Sequence, residues 1–259
     1  DANFGPWGQP WGKLAAAVPV PAGGYQVFRV VTKPVQPGQK VSAVVLPQTR
    51  GSFASLRTPG GREVMSGPAC FVAVRDEFST WGHEMVSLRE DLGRPRLIAT
   101  RMIETGPVVT VQRQKYRWRK SEIWLDVITW AHTGVVELRI RGNWQERRQA
   151  LQLEVPTGLA KPVLAVKTAG AVVTRSASGN EEPMHEWLAV AGKIGGEPAA
   201  LGLVNGTGYS YSCAGSKLRV TLMRGVPHAE HPPFFYAKQA DLALLDVDER
   251  RRHGAHERQ

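Results

Sequence analysis

The groups best suited to chemistry gather late in the chain. The segment LVNGTGYSYSCAGSKLRVTLMRGVPHAEH, from Leu203 to His231, reads as strand, turn, strand and then presents Arg224, His228 and His231. A second pair, His253 and His256, follows at the same spacing. On a helix, histidines three residues apart share a face and could both bind zinc. Pro227, Pro232 and Pro233 surround the first pair, however, and oppose a regular helix. Neither pair has a carboxylate at a metal-site spacing, so rim histidines are the favoured reading and no metal ligand is assigned.

Other chemistries find less support. A retaining glycosidase needs two carboxylates about 5 Å apart. Asp76, Glu77, Glu104, Asp126, Glu146, Glu181 and Glu182 are scattered and mark no such pair. The chain has no Gly-x-Ser-x-Gly, no glycine-rich phosphate loop and no His-Glu-x-x-His. An aldose epimerase would need a histidine acid and a glutamate base. His132 with Glu137 or Glu146 is the crude candidate. Arg113, Lys115, Arg117 and Arg119 are expected on one strand face. A nucleic-acid protein interleaves aromatics with such a row, but a solvated face is the plainer account. No catalytic residue is assigned.

The elements that must position these groups read as strands. Val136, Leu138 and Ile140 alternate with Glu137, Arg139 and Arg141, giving one buried and one wet face. SEIWLDVITW (Ser121 to Trp130) is apolar on both faces, as a central strand would be. GGYQVFRVV (Gly23 to Val31) and KVSAVVLP also read as strands. Turns recur at TPGG, ETGP, SASGN, KIGGE and AGS. One short helix is conceivable, from Ala237 to Arg252. Many strands and few helical patterns predict an all-β, antiparallel sandwich. Residues 1–23 are expected to be an extended lead-in and 24–259 one β domain, with room for a small β subdomain after about residue 195.

With 259 residues the chain can form one large β domain, and 42% hydrophobic content supports a sizeable core. A net charge of +10 favours acidic partners or a larger assembly. The two cysteines, Cys70 and Cys213, cannot make a four-thiolate zinc site. No run approaches the roughly 20 apolar residues of a membrane helix, and no leader opens the chain. These features predict a cytoplasmic protein with no membrane and no nucleic-acid partner.

The order of several segments resembles the C-terminal β region of the glycoside hydrolase family 38 α-mannosidases. GSFASLRTPGGREVMSG (Gly51 to Gly67) is similar to a strand–turn–strand of that family, with Arg57 in place of an acidic turn residue. RDEFSTWGHE resembles its Asp-to-Trp segment through Asp76 and Trp81, and RMIETGPVVTVQ matches at Glu104, Gly106 and Pro107. Trp144, Glu146 and the Leu151–Pro156 run match the paired strands that follow. AGAVVTRSASGNEEPMHEWLAV is similar at Gly170, Arg175, Gly179, Glu182, Pro183 and Trp187. The late hairpin matches at Asn205, Tyr209, Leu218, Arg219, Leu222 and Arg224. RHGAHERQ is similar to the segment before the family's last strand, with Arg252 replacing an acid.

The resemblance implies a large antiparallel β super-sandwich of the galactose-mutarotase-like type with few short helices. It implies the C-terminal, non-catalytic portion of a zinc-dependent retaining α-mannosidase. In that family the catalytic α/β barrel carries the zinc, its Asp and His ligands and the nucleophile, and nothing in this sequence matches it. No cofactor is therefore expected in this chain, and zinc is expected in the catalytic domain. The implied partners are that domain, an α-mannoside, and a further copy in an oligomer. Arg224, Trp81 and His231 are the expected substrate-binding residues. For Arg224 two readings stand side by side: a pocket wall holding a carboxylate or sugar hydroxyls, or a guanidinium fixing the loop's own carbonyls. A stand-alone carbohydrate-binding or structural β module, and an epimerase-like enzyme, are the alternatives.

Overall fold

The alternation from Val136 to Arg141 becomes a strand whose Val136, Leu138 and Ile140 pack on the core. The computed structural model describes residues 15–29, 53–58, 60–78, 85–88, 90–131, 133–206 and 208–226, with two short pairing segments before them. Its strands are β1 (Asn3–Phe4), β2 (Pro10–Trp11), β3 (Cys70–Arg75), β4 (Asp91–Gly93), β5 (Arg96–Thr105), β6 (Val109–Trp118), β7 (Ser121–Trp130) and β8 (Val136–Asn143). They continue as β9 (Gln149–Pro156), β10 (Ala160–Thr168), β11 (Ala171–Ser176), β12 (Ser178–Pro183), β13 (Trp187–Ile194), β14 (Glu197–Val204), β15 (Ser210–Ala214) and β16 (Lys217–Arg224). Among the described residues there is no helix, and none is long and apolar enough to cross a membrane. The fold is all-β.

Apart from the β1–β2 pair, three antiparallel sheets form among the described residues. Their orders are β12-β15-β16-β9-β3-β4, β5-β6-β7-β8 and β11-β10-β13-β14. One core is shared by all three. Phe71, Leu151, Leu153, Leu218 and Val220 come from the six-stranded sheet, Ile123, Leu125 and Val127 from β7, and Leu164, Val166, Leu188 and Val190 from β10 and β13. The edge of Phe71 meets Tyr116 at a centroid distance of 5.0 Å and an interplanar angle of 89°. On the other face of β3 and β9, Cys70, Val72, Val74 and Ala150 are covered by Leu88, Met85 and Phe78. β9 is therefore buried almost throughout, and even its Gln152 and Glu154 are inaccessible.

Turn chemistry fixes the registers. KIGGE closes β13 on β14 with Ile194 opposite Glu197, and Gly195 and Gly196 take φ of 59° and 88°. Two consecutive positive φ values are the two-residue hairpin turn that matches strand twist, and only glycine adopts them freely. Cys70 and Cys213 are both buried free thiols. Burial pushes the Cys213 thiol up to about 11 and raises Cys70 as well.

Three expectations need correction. Gly24 to Arg29 is irregular and exposed, not a strand, because no neighbour among the described residues pairs with it. KVSAVVLP and the Ala237–Arg252 helix lie outside the described residues. Arg119 is not on the β6 face: Trp118 pairs with Ser121, so Arg119 is a turn residue with φ 45°. Nor is the outer face of β7 wholly apolar, for it carries Glu122 and Asp126 opposite Arg117 and Arg113.

Candidate functional site

β3 and β16 both pair antiparallel with β9, on its two sides. They therefore run in the same direction and finish at the same end of the sheet. Arg75 lies opposite Gln149 and Arg224 opposite Ala150. Asp76, one residue past β3, thus emerges beside Arg224, although 148 positions separate them.

The two side chains form a bidentate ion pair. Arg224 Nε donates to Asp76 Oδ2 at 2.6 Å and Nη2 to Oδ1 at 2.9 Å. Asp76 is fully buried, and its Oδ1 also accepts from the Phe78 amide at 3.3 Å. Backbone bonds tie the same corner: Asp76 N to Arg148 O (3.0 Å), Arg148 N to Gly225 O (2.6 Å) and Gly225 N to Gln149 O (2.8 Å). Charge-assisted, two-point contacts of this kind are strong and directional. The pair pins the roots of both segments that leave this end of the sheet.

Glu146 extends the corner toward the β5–β8 sheet. Its buried Oε1 accepts from Lys120 N and Ser121 Oγ, both at 2.9 Å. Trp118 Nε1 donates to Gln149 Oε1 at 3.0 Å and Trp144 Nε1 to Gln149 O at 3.1 Å. Trp144 and Glu146, singled out by resemblance, are thus structural links between two sheets. Of the epimerase candidates, His132 lies outside the described residues, and Glu146 is engaged by Lys120 N and Ser121 Oγ. Glu137 is also engaged, by Arg139 Nε at 2.6 Å.

Of the three expected substrate-binding residues, the structure places Arg224, and it gives its guanidinium a carboxylate of the same chain. Trp81 and His231 lie outside the described residues, as do His132, His228, His253 and His256. Among the described residues no group of three or more His, Cys, Asp or Glu is placed to hold a metal ion. No zinc site is assigned to them and no step is routed through a metal.

The family likeness marked Arg219, but not the polar cluster that it centres. Arg219, largely buried, donates to Glu154 Oε2 (2.6 Å) and to both oxygens of Asp91 (2.7 and 2.9 Å). Arg94 Nη2 reaches Glu154 Oε1 at 3.1 Å. Its members come from β9, β16, β4 and the segment after β4, and only the sheet order brings them together.

On the outer face of β5–β8, Asp126 receives Arg113 through Nε (2.7 Å) and Nη2 (2.8 Å), and Arg141 Nη2 at 3.4 Å. The Arg113 hydrogen bond holds the Asp126 carboxyl below the usual carboxylate range, against the opposing effect of burial. A carboxylate lowered in the folded state stabilises the fold above its unfolded pKa, near 4, and that contribution fades as pH falls through the lowered value. The expected result is a shallower acid limb for Asp126→Asn than for the native chain as pH falls below about 4, read from urea midpoints at each pH. Parallel limbs would contradict it.

Comparison with known proteins agrees with this architecture. The model of the glycosyl hydrolases family 38 C-terminal domain matches residues 44–231. No curated protein matches the chain. Among solved structures, an α-mannosidase from Enterococcus faecalis V583 is similar at 15% identity and a TM-score of 0.52, over 64% of this chain and 23% of that one. A glycosyl hydrolase family 38 protein from Enterococcus faecalis is similar at 15% identity and a TM-score of 0.53, over 67% of this chain and 24% of that one. At such identity the likeness is one of fold, and the chain spans about a quarter of each structure's length. With the family model covering most of the sequence and the sandwich matching in fold, this chain belongs to the glycosyl hydrolase family 38 C-terminal domain family.

Proposed function

We propose that this chain is the C-terminal β portion of a retaining, zinc-dependent α-mannosidase, that it packs on the catalytic domain of the same enzyme, and that it lines one wall of the mannoside pocket. The observation that carries the reading is the Asp76–Arg224 pair. It fixes, at one end of one sheet, the starts of the two segments that lead to Trp81 and His231. A pocket wall needs such fixed roots, because catalysis depends on groups held within a fraction of an ångström. Zinc belongs to the catalytic domain in this reading, where it would act on the sugar hydroxyls and the nucleophile. The part played by this chain is to orient the sugar and exclude water.

The test is paired. Zinc content and release of nitrophenol from a nitrophenyl α-mannoside are measured on the chain alone and on the chain joined to a family 38 catalytic domain. The expected result is neither zinc nor turnover alone, and both in the joined enzyme. Turnover by the chain alone, or a catalytic domain indifferent to its presence, would overturn the proposal.

A further inference from the structure

The outer face of β5–β8 breaks a local rule. Arg101 lies directly opposite Arg113, and Arg96 opposite Arg117. Like charges directly across a sheet are destabilising. In the next strands Arg139 stands opposite Asp126, and Arg141 opposite Trp124, which in turn faces Lys115. Asp126 takes Arg113 and Arg141, Glu122 takes Lys115 and Arg117, and Glu137 takes Arg139, yet cations still outnumber carboxylates on this face. A sequence that keeps such repulsion on a well-packed sheet departs from what folding alone favours, and such departures concentrate where a surface has a task.

The face also has shape. Arg113, Trp124, Arg141, Gly142 and Asn143 line an open hollow of about 380 Å³, within the range of small-ligand sites. Asp126, nearly buried, grips one edge of the Arg113 guanidinium and reaches Arg141 as well. That grip engages Arg113 through Nε and Nη2 and leaves its Nη1 amine outside the pair. Lys115 Nζ stands 5.1 Å from the centroid of the Trp124 ring at the border of the hollow, held there by Glu122 at 2.9 Å. Preset guanidiniums suit a carboxylate or sulfate, while an indole and an amide suit a sugar ring and its hydroxyls.

We propose that this hollow binds an anionic saccharide, with Arg113 and Arg141 taking its oxyanion and Trp124 and Asn143 its ring. The site is separate from the corner at Arg224 and does not depend on the mannosidase reading. Its field would also speed encounter with an acidic chain at low salt.

The test is calorimetric titration of the 259-residue chain at low ionic strength with tetragalacturonate, mannotetraose and inorganic sulfate. Tetragalacturonate should bind, sulfate should compete with it, and mannotetraose should not bind. Arg141→Gln should weaken binding about tenfold, the loss of one charge-assisted contact. This variant leaves Arg113 on Asp126, so the fold is kept, and its melting curve verifies that. Asn143→Ala should weaken binding more mildly. Arg57→Gln removes the same charge from an exposed side chain on another part of the fold and should change nothing. No binding, equal losses in Arg141→Gln and Arg57→Gln, or equal binding of mannotetraose would each overturn the proposal. So would tighter binding of a single-stranded DNA of matched charge, which would make the face a nucleic-acid surface.

Discussion

Replacing Arg224 with alanine is expected to cost the folded chain about 3–5 kcal/mol, the usual penalty for leaving one member of a buried ion pair alone. Asp76 is inaccessible to water, and two of its hydrogen bonds come from Arg224. Without them its carboxylate keeps, among the side-chain contacts of the described residues, the Phe78 amide at 3.3 Å to offset desolvation. In a chain of this size the loss is a fall in melting temperature of about 10 °C. Asp76→Asn/Arg224→Met removes both charges together and should recover much of the loss, because the cost lies in the unpaired ion more than in the missing attraction. Urea midpoints of the single and double variants decide the matter. A single variant within about 1 kcal/mol of native would mean that the pair is no pin. In the joined enzyme the same substitution separates the two readings of Arg224: reduced mannoside turnover at unchanged stability would place the guanidinium on the substrate, whereas activity that falls only with stability would leave it as a support.

What the sequence made legible follows from range. β8 was readable because alternation is a local property, and its Val136, Leu138 and Ile140 do meet the core. The β13–β14 turn was readable because two adjacent glycines specify one turn type. Gly24–Arg29 shows the limit: its residue types suit a strand, but a strand exists only where a neighbour supplies the ladder. Arg119 shows the same at one residue, since register, set by the Trp118–Ser121 pairing, moved it from a strand face into a turn. The family likeness marked both Asp76 and Arg224, yet nothing local joins residues 148 positions apart. Their contact follows from β3 and β16 sharing β9 as a neighbour. The Arg219–Glu154–Asp91 cluster was illegible for the same reason, and so was the clamping of Arg113 and Arg141 by Asp126.

Gly225→Ala is expected to be nearly as damaging, at about 3 kcal/mol, and for a steric reason. A Cβ on Gly225 would overlap the carbonyl oxygen of Glu146, a backbone atom that cannot rotate away. Relief could come from retreat of the segment after β16, which would stretch the bonds from Gly225 N to Gln149 O and from Arg148 N to Gly225 O. It could instead come from displacement of Glu146, whose side chain holds Lys120 N and Ser121 Oγ at the β6–β7 turn. Either movement loosens the corner where Arg224 grips Asp76, so this variant and Arg224→Ala should be markedly non-additive. Gly202→Ala is the control: its Cβ would meet nothing within 4 Å, and an added methyl in a strand should be neutral or stabilising by up to about 1 kcal/mol. Melting curves give the magnitudes, and hydrogen exchange at the Lys120 amide tells which movement occurs. Lost protection there would mean that Glu146 has shifted; retained protection with a lowered melting point would mean that the segment after β16 has moved. If Gly225→Ala melted with Gly202→Ala, the close approach at Glu146 would carry no constraint, and the corner would owe its rigidity to the ion pair alone.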